Sequence, residues 1–274
     1  ALILLGVCLL SSGLMATAAV AAGKGGASSA QTRDSDWMLS PDLLNHAGLK
    51  PVWQQTLALK KGEAFATVTL LGGQLFLRSD RNYMWSLNAA TGDVVFSRSV
   101  APQGIPVLGL GSYDDTVISV VGNQLTECGM ASGTQTRVAD LELSIVTPPV
   151  RNDQFYYVAA GDRRLHVFRV QDLVRTFKVA ADNESLITTV VADDNLVVFG
   201  TSAGNVVGMA ADTPKKLWQF DAAEAIAGSI VRHGDFLYVA SKDTNVYRLD
   251  ITGETTVSMA WKFQTEAVLD RAPR

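Results

Sequence analysis

Cysteine is nearly absent from this chain, with Cys8 and Cys128 the only two in 274 residues. Two thiols so far apart cannot form the spaced clusters that a disulfide framework or a cysteine zinc site requires. Histidine is almost as scarce. His46, His166 and His233 are scattered, and no Gly-x-Ser-x-Gly elbow, phosphate loop or His-Glu-x-x-His accompanies them, so hydrolytic, nucleotide-dependent and zinc-dependent chemistry lack their usual signatures. Charge of one sign is missing too. The 23 basic residues stand against 27 acidic ones with no long run of either, and without a basic stripe nucleic acid is not an expected partner.

What is present begins with an apolar run. The first 22 residues, ALILLGVCLLSSGLMATAAVAA, carry no charge and end in small side chains. They read as the core of a secretory signal, with Ala-x-Ala cleavage at Ala16 to Ala18 or Ala19 to Ala21. About 20 apolar residues also suffice to span a bilayer, so an uncleaved membrane anchor stays open as the alternative, and a buried core helix as a third. Cys8 suggests lipidation, but Val7 before it is not small. Residues 23–35 are small and polar and read as a flexible tether. In 36–52 the order Ser40, Pro41, Asp42 suits a short capped helix leading into the folded part.

From Trp53 onward one design recurs. The most apolar strand of each unit opens at Gln74 (QLFL), Thr116 (TVISV), Gln154 (QFYYV), Asn195 (NLVVFG) and Asp235 (DFLYVAS), at steps of 42, 38, 41 and 40. Each strand leads through a polar turn into an alternating one, as in SDRNYMWSLN from Ser79 and SKDTNVYRLD from Ser241, which is a hairpin. A further turn follows (Ala90-Thr91-Gly92, Ala131-Ser132-Gly133, Ile251-Thr252-Gly253), then an outer strand with a bulky residue at Phe96, Phe177, Trp218 or Trp261. The strand opening each unit is made of small residues and proline, Pro148 and Pro149 included. Such a strand suits the crowded axis of a propeller, where proline is tolerated at an edge. Short strands repeating every forty residues predict an all-β protein, a β-propeller of four-stranded blades. The blades are placed at about 62–100, 101–141, 142–180, 181–222 and 223–266, with the start of a sixth at 267–274. Trp53, Trp218 and Trp261 are expected to pack between blades.

These motifs, the polar turn followed by Leu/Val-Tyr-x-Leu-Asp, then Ala-x-Thr-Gly, then Trp, resemble the pyrroloquinoline-quinone-like propeller repeat over Trp53 to Ala272. Ser241 to Gly253 followed by Trp261 is the best copy. The second unit, with Thr126, Glu127 and Cys128 in place of the Tyr-containing stretch, is the poorest. The nearest members are the exported, non-enzymatic ones, which include an outer-membrane assembly lipoprotein. The resemblance implies a ring of seven or eight blades, of which five and the start of a sixth are expected here, with Trp53 to Leu57 as an orphan outer strand that completes the last blade. Quinone-dependent enzymes of this fold carry a vicinal cysteine pair, calcium-binding acidic and amide residues and a catalytic Asp. None is visible, so no catalytic residue, cofactor or metal site is expected.

The function expected is a non-catalytic exported scaffold in the periplasm or cell envelope that binds other envelope proteins. Two alternatives remain: a quinone-dependent dehydrogenase with its cofactor site beyond residue 274, and a sensor domain tethered by residues 1–22. The candidate interaction residues are Arg81, Arg163 and Arg164 in hairpin turns, Trp37 outside the repeat, and Asp270 and Arg271 on an inner strand lining a channel. Asp114-Asp115 and Asp193-Asp194 occupy equivalent turns, where Asp favours the bend; calcium binding is the sharper alternative.

Overall fold

The computed structural model describes residues 40–253 and 255–269 and the backbone of 2–8. The chain divides into two compact units, Ala1–Arg98 and Ser99–Arg274.

The first unit holds β1 (Leu2–Cys8), α1 (Pro41–His46), β2 (Lys50–Leu57) and one four-stranded sheet, β3 (Phe65–Leu71), β4 (Gln74–Ser79), β5 (Tyr83–Asn88) and β6 (Val94–Ser99). The Ser40 hydroxyl accepts the Leu43 N–H at 3.3 Å, satisfying one of the donors that a helix start leaves unpaired. The expected orphan strand is not alone. β2 pairs antiparallel with β1, from Leu2 opposite Leu57 to Cys8 opposite Lys50, because a free strand edge is a row of unpaired N–H and C=O groups that an uncharged segment can complete. Its inner face is fixed by Trp53 and Leu57, both buried. The Trp53 indole N–H donates to the Ala89 carbonyl at 2.9 Å. Its ring lies on Gly92, where a Cβ would come within 2.5 Å and where φ is +79°, so only glycine serves at that turn.

The second unit holds four more four-stranded antiparallel sheets, each a meander in chain order. They are β7 (Gly111–Tyr113) to β10 (Gln135–Asp140) through β8 (Thr116–Val121) and β9 (Gln124–Gly129); and β11 (Val150–Arg151), β12 (Phe155–Ala160), β13 (Arg164–Arg169) and β14 (Arg175–Ala180). Then come β15 (Ile187–Ala192), β16 (Leu196–Thr201), β17 (Asn205–Ala210) and β18 (Lys216–Asp221); and β19 (Val231–His233), β20 (Phe236–Ala240), β21 (Asn245–Thr252) and β22 (Thr256–Gln264). With the sheet of the first unit this makes five four-stranded blades of a β-propeller, numbered one to five in chain order. Residues 267–269, at the expected start of a sixth, form no strand, and 270–274 lie outside the described residues.

The first strands of blades two, three and five have only three, two and three residues. Pro106, Pro148-Pro149 and Gly228 precede them: proline has no N–H to donate to a ladder, and Gly228 has φ +68°, outside the strand region. Single bridges, Val107 to Val121, Ile145 to Ala160 and Ile226 to Ser241, hold those segments in place instead. The second strands, and the third strands apart from buried polar residues such as Glu127 and His166, are largely apolar on both faces and fill the seams. Tyr156 and Val158 of β12 look back to Ile118, Val120 and Leu125 of blade two. Tyr157 and Ala159, the alternate residues, look forward to Val197, Phe199 and Met209 of blade four. Leu196, Val198 and Trp218 meet Leu237, Val239 and Leu249 of blade five. Each large apolar side chain buried this way contributes about 1.5–3 kcal/mol, so the seams hold the blades together. Trp261 departs from expectation. It is 41% exposed, against 7% for Trp218, because no further seam covers that side of blade five among the described residues.

Candidate functional site: a laced turn face in the second unit

Every blade has two ends. The turns joining first to second and third to fourth strands lie at one, and the turns joining second to third strands lie at the other. In the second unit the first end is tied from blade to blade by polar contacts about one repeat apart. The Tyr113 hydroxyl of blade two donates to Asp153 Oδ1 of blade three at 2.8 Å. Asn152 Nδ2 donates to the Asp193 carbonyl of blade four at 3.0 Å and to the Tyr157 hydroxyl at 3.0 Å. Tyr157 in turn donates to the Ala211 carbonyl at 2.9 Å. Arg232 of blade five pairs with the Asp193 carboxylate. Asn152 also accepts the Gln154 and Phe155 N–H groups at 2.9 and 2.8 Å, a local turn that leaves its amide fully used.

Beneath this lacing, between blades two and three, lies a buried carboxylate. Glu127, on the third strand of blade two, has a side chain only 7% exposed. Tyr156 donates its hydroxyl to Glu127 Oε1, Arg151 Nη1 donates to the same oxygen at 3.2 Å, and Arg137 Nε lies 3.6 Å from Oε2. The arginines are themselves held. Arg151 sits 4.6 Å from the Tyr113 ring centroid and 5.3 Å from that of Tyr156, and Arg137 Nη1 donates to the Val170 carbonyl at 2.5 Å. Burial first, and then the hydrogen bond and charge of Glu127, push the Tyr156 phenol up to about 12. Tyr113 is pushed up to about 12 by its hydrogen bond to Asp153, with burial and the charges of Asp153, Asp114 and Asp194 adding to it. Both phenols are therefore neutral donors at physiological pH. Sequence reading noticed that Glu127 breaks the repeat but not that Arg137 and Arg151 converge on it, because they come from two other strands.

The residues singled out in the sequence lie elsewhere. Arg163 is in the turn between second and third strands of blade three, at the other end, while Arg164, expected in that turn, opens the third strand, β13. Arg163 is exposed and paired with Glu184 at 3.0 Å, and Arg164 lies 3.5 Å from Asp162. Arg81 occupies the equivalent turn of blade one and donates to the Lys61 carbonyl at 2.9 Å. Trp37, Asp270 and Arg271 lie outside the described residues. The three histidines fall on separate elements. His166 is buried in β13 with Nε2 3.0 Å from Asp162. Burial acts to raise the Asp162 carboxyl, but the His166 hydrogen bond and the His166 and Arg164 charges hold it below the ordinary value. Among the described residues no three His, Cys, Asp or Glu side chains gather closely enough to hold a metal, and no helix is long and apolar enough to cross a membrane.

The family model for the outer membrane protein assembly factor BamB matches residues 104–262, more than half of the chain. The chain belongs to that family. No curated protein sequence matches it. Among solved structures, BamB from Moraxella catarrhalis is similar at a TM-score of 0.51 and 16% identity, over 81% of this chain and 69% of that one. The Cps50 (Swd1) β-propeller domain of Myceliophteria thermophila gives 0.59 and 12%, over 74% and 75%. A chain of the mitotic checkpoint complex gives 0.63 and 10%, over 83% and 72%. At these identities the likenesses establish the propeller fold, and only the family match reaches further. The BamB-family match covers blades two to five, so the lacing and the Glu127 cluster both lie inside it.

Proposed function

We propose that this BamB-family chain is a non-catalytic, exported β-propeller that works as a protein-binding scaffold in assembly at the cell envelope. The observation that carries this reading is the family match over blades two to five, the part whose turn face is held rigid by the contacts from Tyr113 to Arg232. A preorganised face loses little conformational entropy on binding and so gains affinity for a protein partner. Separately from the laced face, we assign Arg163 and Arg164, at the other end of blade three, to partner binding, and Arg81 of blade one, Trp37, Asp270 and Arg271 each as a further contact. We assign the apolar residues 1–22 to export or tethering in the periplasm; Leu2–Cys8 of that segment pairs with β2 here, so the assignment stands or falls with the mature N-terminus.

Affinity capture from envelope extracts tests this. The wild-type chain is expected to retain specific proteins that an Arg163→Glu/Arg164→Glu variant of unchanged melting temperature loses. Equal capture by both would remove these arginines from the binding face, and no specific capture by either would sink the scaffold reading. Adding pyrroloquinoline quinone and calcium to the purified protein is expected to give no dye-linked alcohol oxidation; activity would overturn the non-catalytic assignment. Sequencing the mature N-terminus separates a cleaved signal from a retained tether.

A further inference from the structure

At the laced end of blade three an open groove of about 380 Å³ runs between two turns, lined by Asp153, Gln154 and Phe155 on one side and Arg169, Val170 and Gln171 on the other. Phe155 is its apolar side chain on the face toward blade four, and Val170 packs on the opposite face, toward blade two. Its surroundings are acidic. The turns between first and second strands in blades two to five carry Asp114, Asp115, Asp153, Asp193, Asp194 and Asp235 and no Lys or Arg.

Three cations at this end are already engaged, while Arg175 and Lys215, beside the third-to-fourth turns of blades three and four, are exposed. Arg169 pairs with Asp172 at 2.9 Å, Arg232 pairs with Asp193, and Arg137, behind the groove, is held by Glu127 and the Val170 carbonyl. Tyr113 is raised first by its hydrogen bond to Asp153 and by burial, with the charges of Asp153, Asp114 and Asp194 adding to them, and the charges of Asp212, Asp193 and Asp194 add to the burial that raises Tyr157.

We infer that this groove docks an extended segment of a partner protein in which an apolar side chain is flanked by lysine or arginine. The apolar side chain packs on Phe155, and its basic neighbours meet the carboxylates of the surrounding turns. Charge complementarity selects this occupant over an acidic or neutral segment, and the lacing keeps the groove preformed. The inference rests on the binding-module reading but uses the end of blade three opposite Arg163 and Arg164. It can therefore fail while capture through those arginines stands.

The test is fluorescence anisotropy on the full chain with two labelled peptides, Gly-Lys-Leu-Lys-Phe-Lys-Gly and Gly-Glu-Leu-Glu-Phe-Glu-Gly. The lysine peptide is expected to bind with an affinity that falls as salt screens the carboxylates, and the glutamate peptide not to bind. Gln154 and Gln171 are exposed at the two lips, so Gln154→Lys/Gln171→Lys adds opposing charge without touching the core. That variant is expected to bind the lysine peptide about tenfold more weakly at an unchanged melting temperature. Absence of lysine-peptide binding, equal binding of the glutamate peptide, or undiminished binding by the double variant would each overturn the groove as a basic-segment site.

Discussion

The seam between blades two and three and the seam between blades four and five fill the same slot of the repeat with opposite chemistry. The fourth residue of the third strand is Glu127 in blade two and Gly208 in blade four. At the first seam that residue is a carboxylate enclosed by two arginines and a phenol. At the second it is an absence, and the Trp218 ring occupies the space so closely that a Cβ on Gly208 would lie 2.1 Å from it. The backbone is the same at both sites. A repeat thus fixes where strands run and leaves each seam to be closed by whatever set of side chains complements itself.

The ionic seam is expected to be the more fragile to a single change. Glu127→Ala strands Arg137 and Arg151 against each other in a half-buried site, and removing one partner of a buried ion cluster costs about 3 kcal/mol. Arg137 keeps some access to water, which holds the loss toward the lower end. Replacing all three charges together, as Glu127→Leu/Arg137→Leu/Arg151→Met, is expected to recover most of that loss, since a well-packed apolar set avoids desolvating charges. Urea denaturation of the two variants decides the matter. If the triple variant is no more stable than Glu127→Ala, the seam depends on its charges for more than mutual neutralisation.

The apolar seam breaks by volume. Gly208→Ala forces the Trp218 ring off its seat, and overpacking of this kind costs about 2 kcal/mol. The indole N–H of Trp218 is buried without a hydrogen-bond partner among the described residues, so there the ring is held by shape and not by a polar anchor. Trp53, whose N–H reaches Ala89, is anchored. Gly92→Ala displaces the anchored Trp53 ring and also strains a backbone at φ +79°, so it is expected to lower the melting temperature further than Gly208→Ala.

This contrast explains what could be read from the sequence. Strand positions were legible because the apolar period and the turn residues are local. Gln74 and Thr116 open their strands, while Gln154, Asn195 and Asp235 fall one residue early because each still belongs to its turn. The seams were less legible. Trp218 and Trp261 look equivalent in the repeat, but one is covered and the other open, a difference set by the neighbouring sheet rather than by the local pattern. The Glu127 cluster needed Arg137 from the outer strand of its own blade and Arg151 from the next blade, and no spacing within a hairpin signals that convergence. The groove at Gln154 and Gln171 joins two turns of one blade whose residues, taken singly, are ordinary turn formers.

The two faces of blade three also differ in how they respond to alkali. Tyr156, held at about 12 by burial and by Glu127, has a folded pKa above its ordinary value of 10.0. Its contribution to stability is complete below about pH 10 and is lost as pH rises through 12. Glu127→Gln keeps an acceptor for the phenol but removes the negative charge, leaving Arg137 and Arg151 to favour the phenolate. Tyr156 is then expected to titrate earlier, seen as tyrosinate absorbance at lower pH. Tyr157, raised chiefly by burial, is expected to stay where it is. Equal shifts of both would show that the variant loosens the fold generally.

The smallest expected effect lies at the acidic end of the scale, in blade four. Asp221 accepts Asn205 Nδ2 and Gln219 Nε2, each at 2.7 Å. These two bonds hold its carboxyl below the ordinary value against the opposing effect of burial. A depressed folded pKa means that stability is present above the unfolded value and is lost as pH falls through the folded one. Asp221→Asn is therefore expected to be slightly less stable than wild type at neutral pH, with the gap closing as the wild-type carboxyl protonates. Asp221 is largely exposed, so salt should narrow the neutral-pH gap as well. A gap that persists unchanged into acid would mean that the amide is disfavoured by packing. In that case Asn205 and Gln219 hold Asp221 by shape, as the Gly208 slot holds Trp218, rather than by charge, as the arginines hold Glu127.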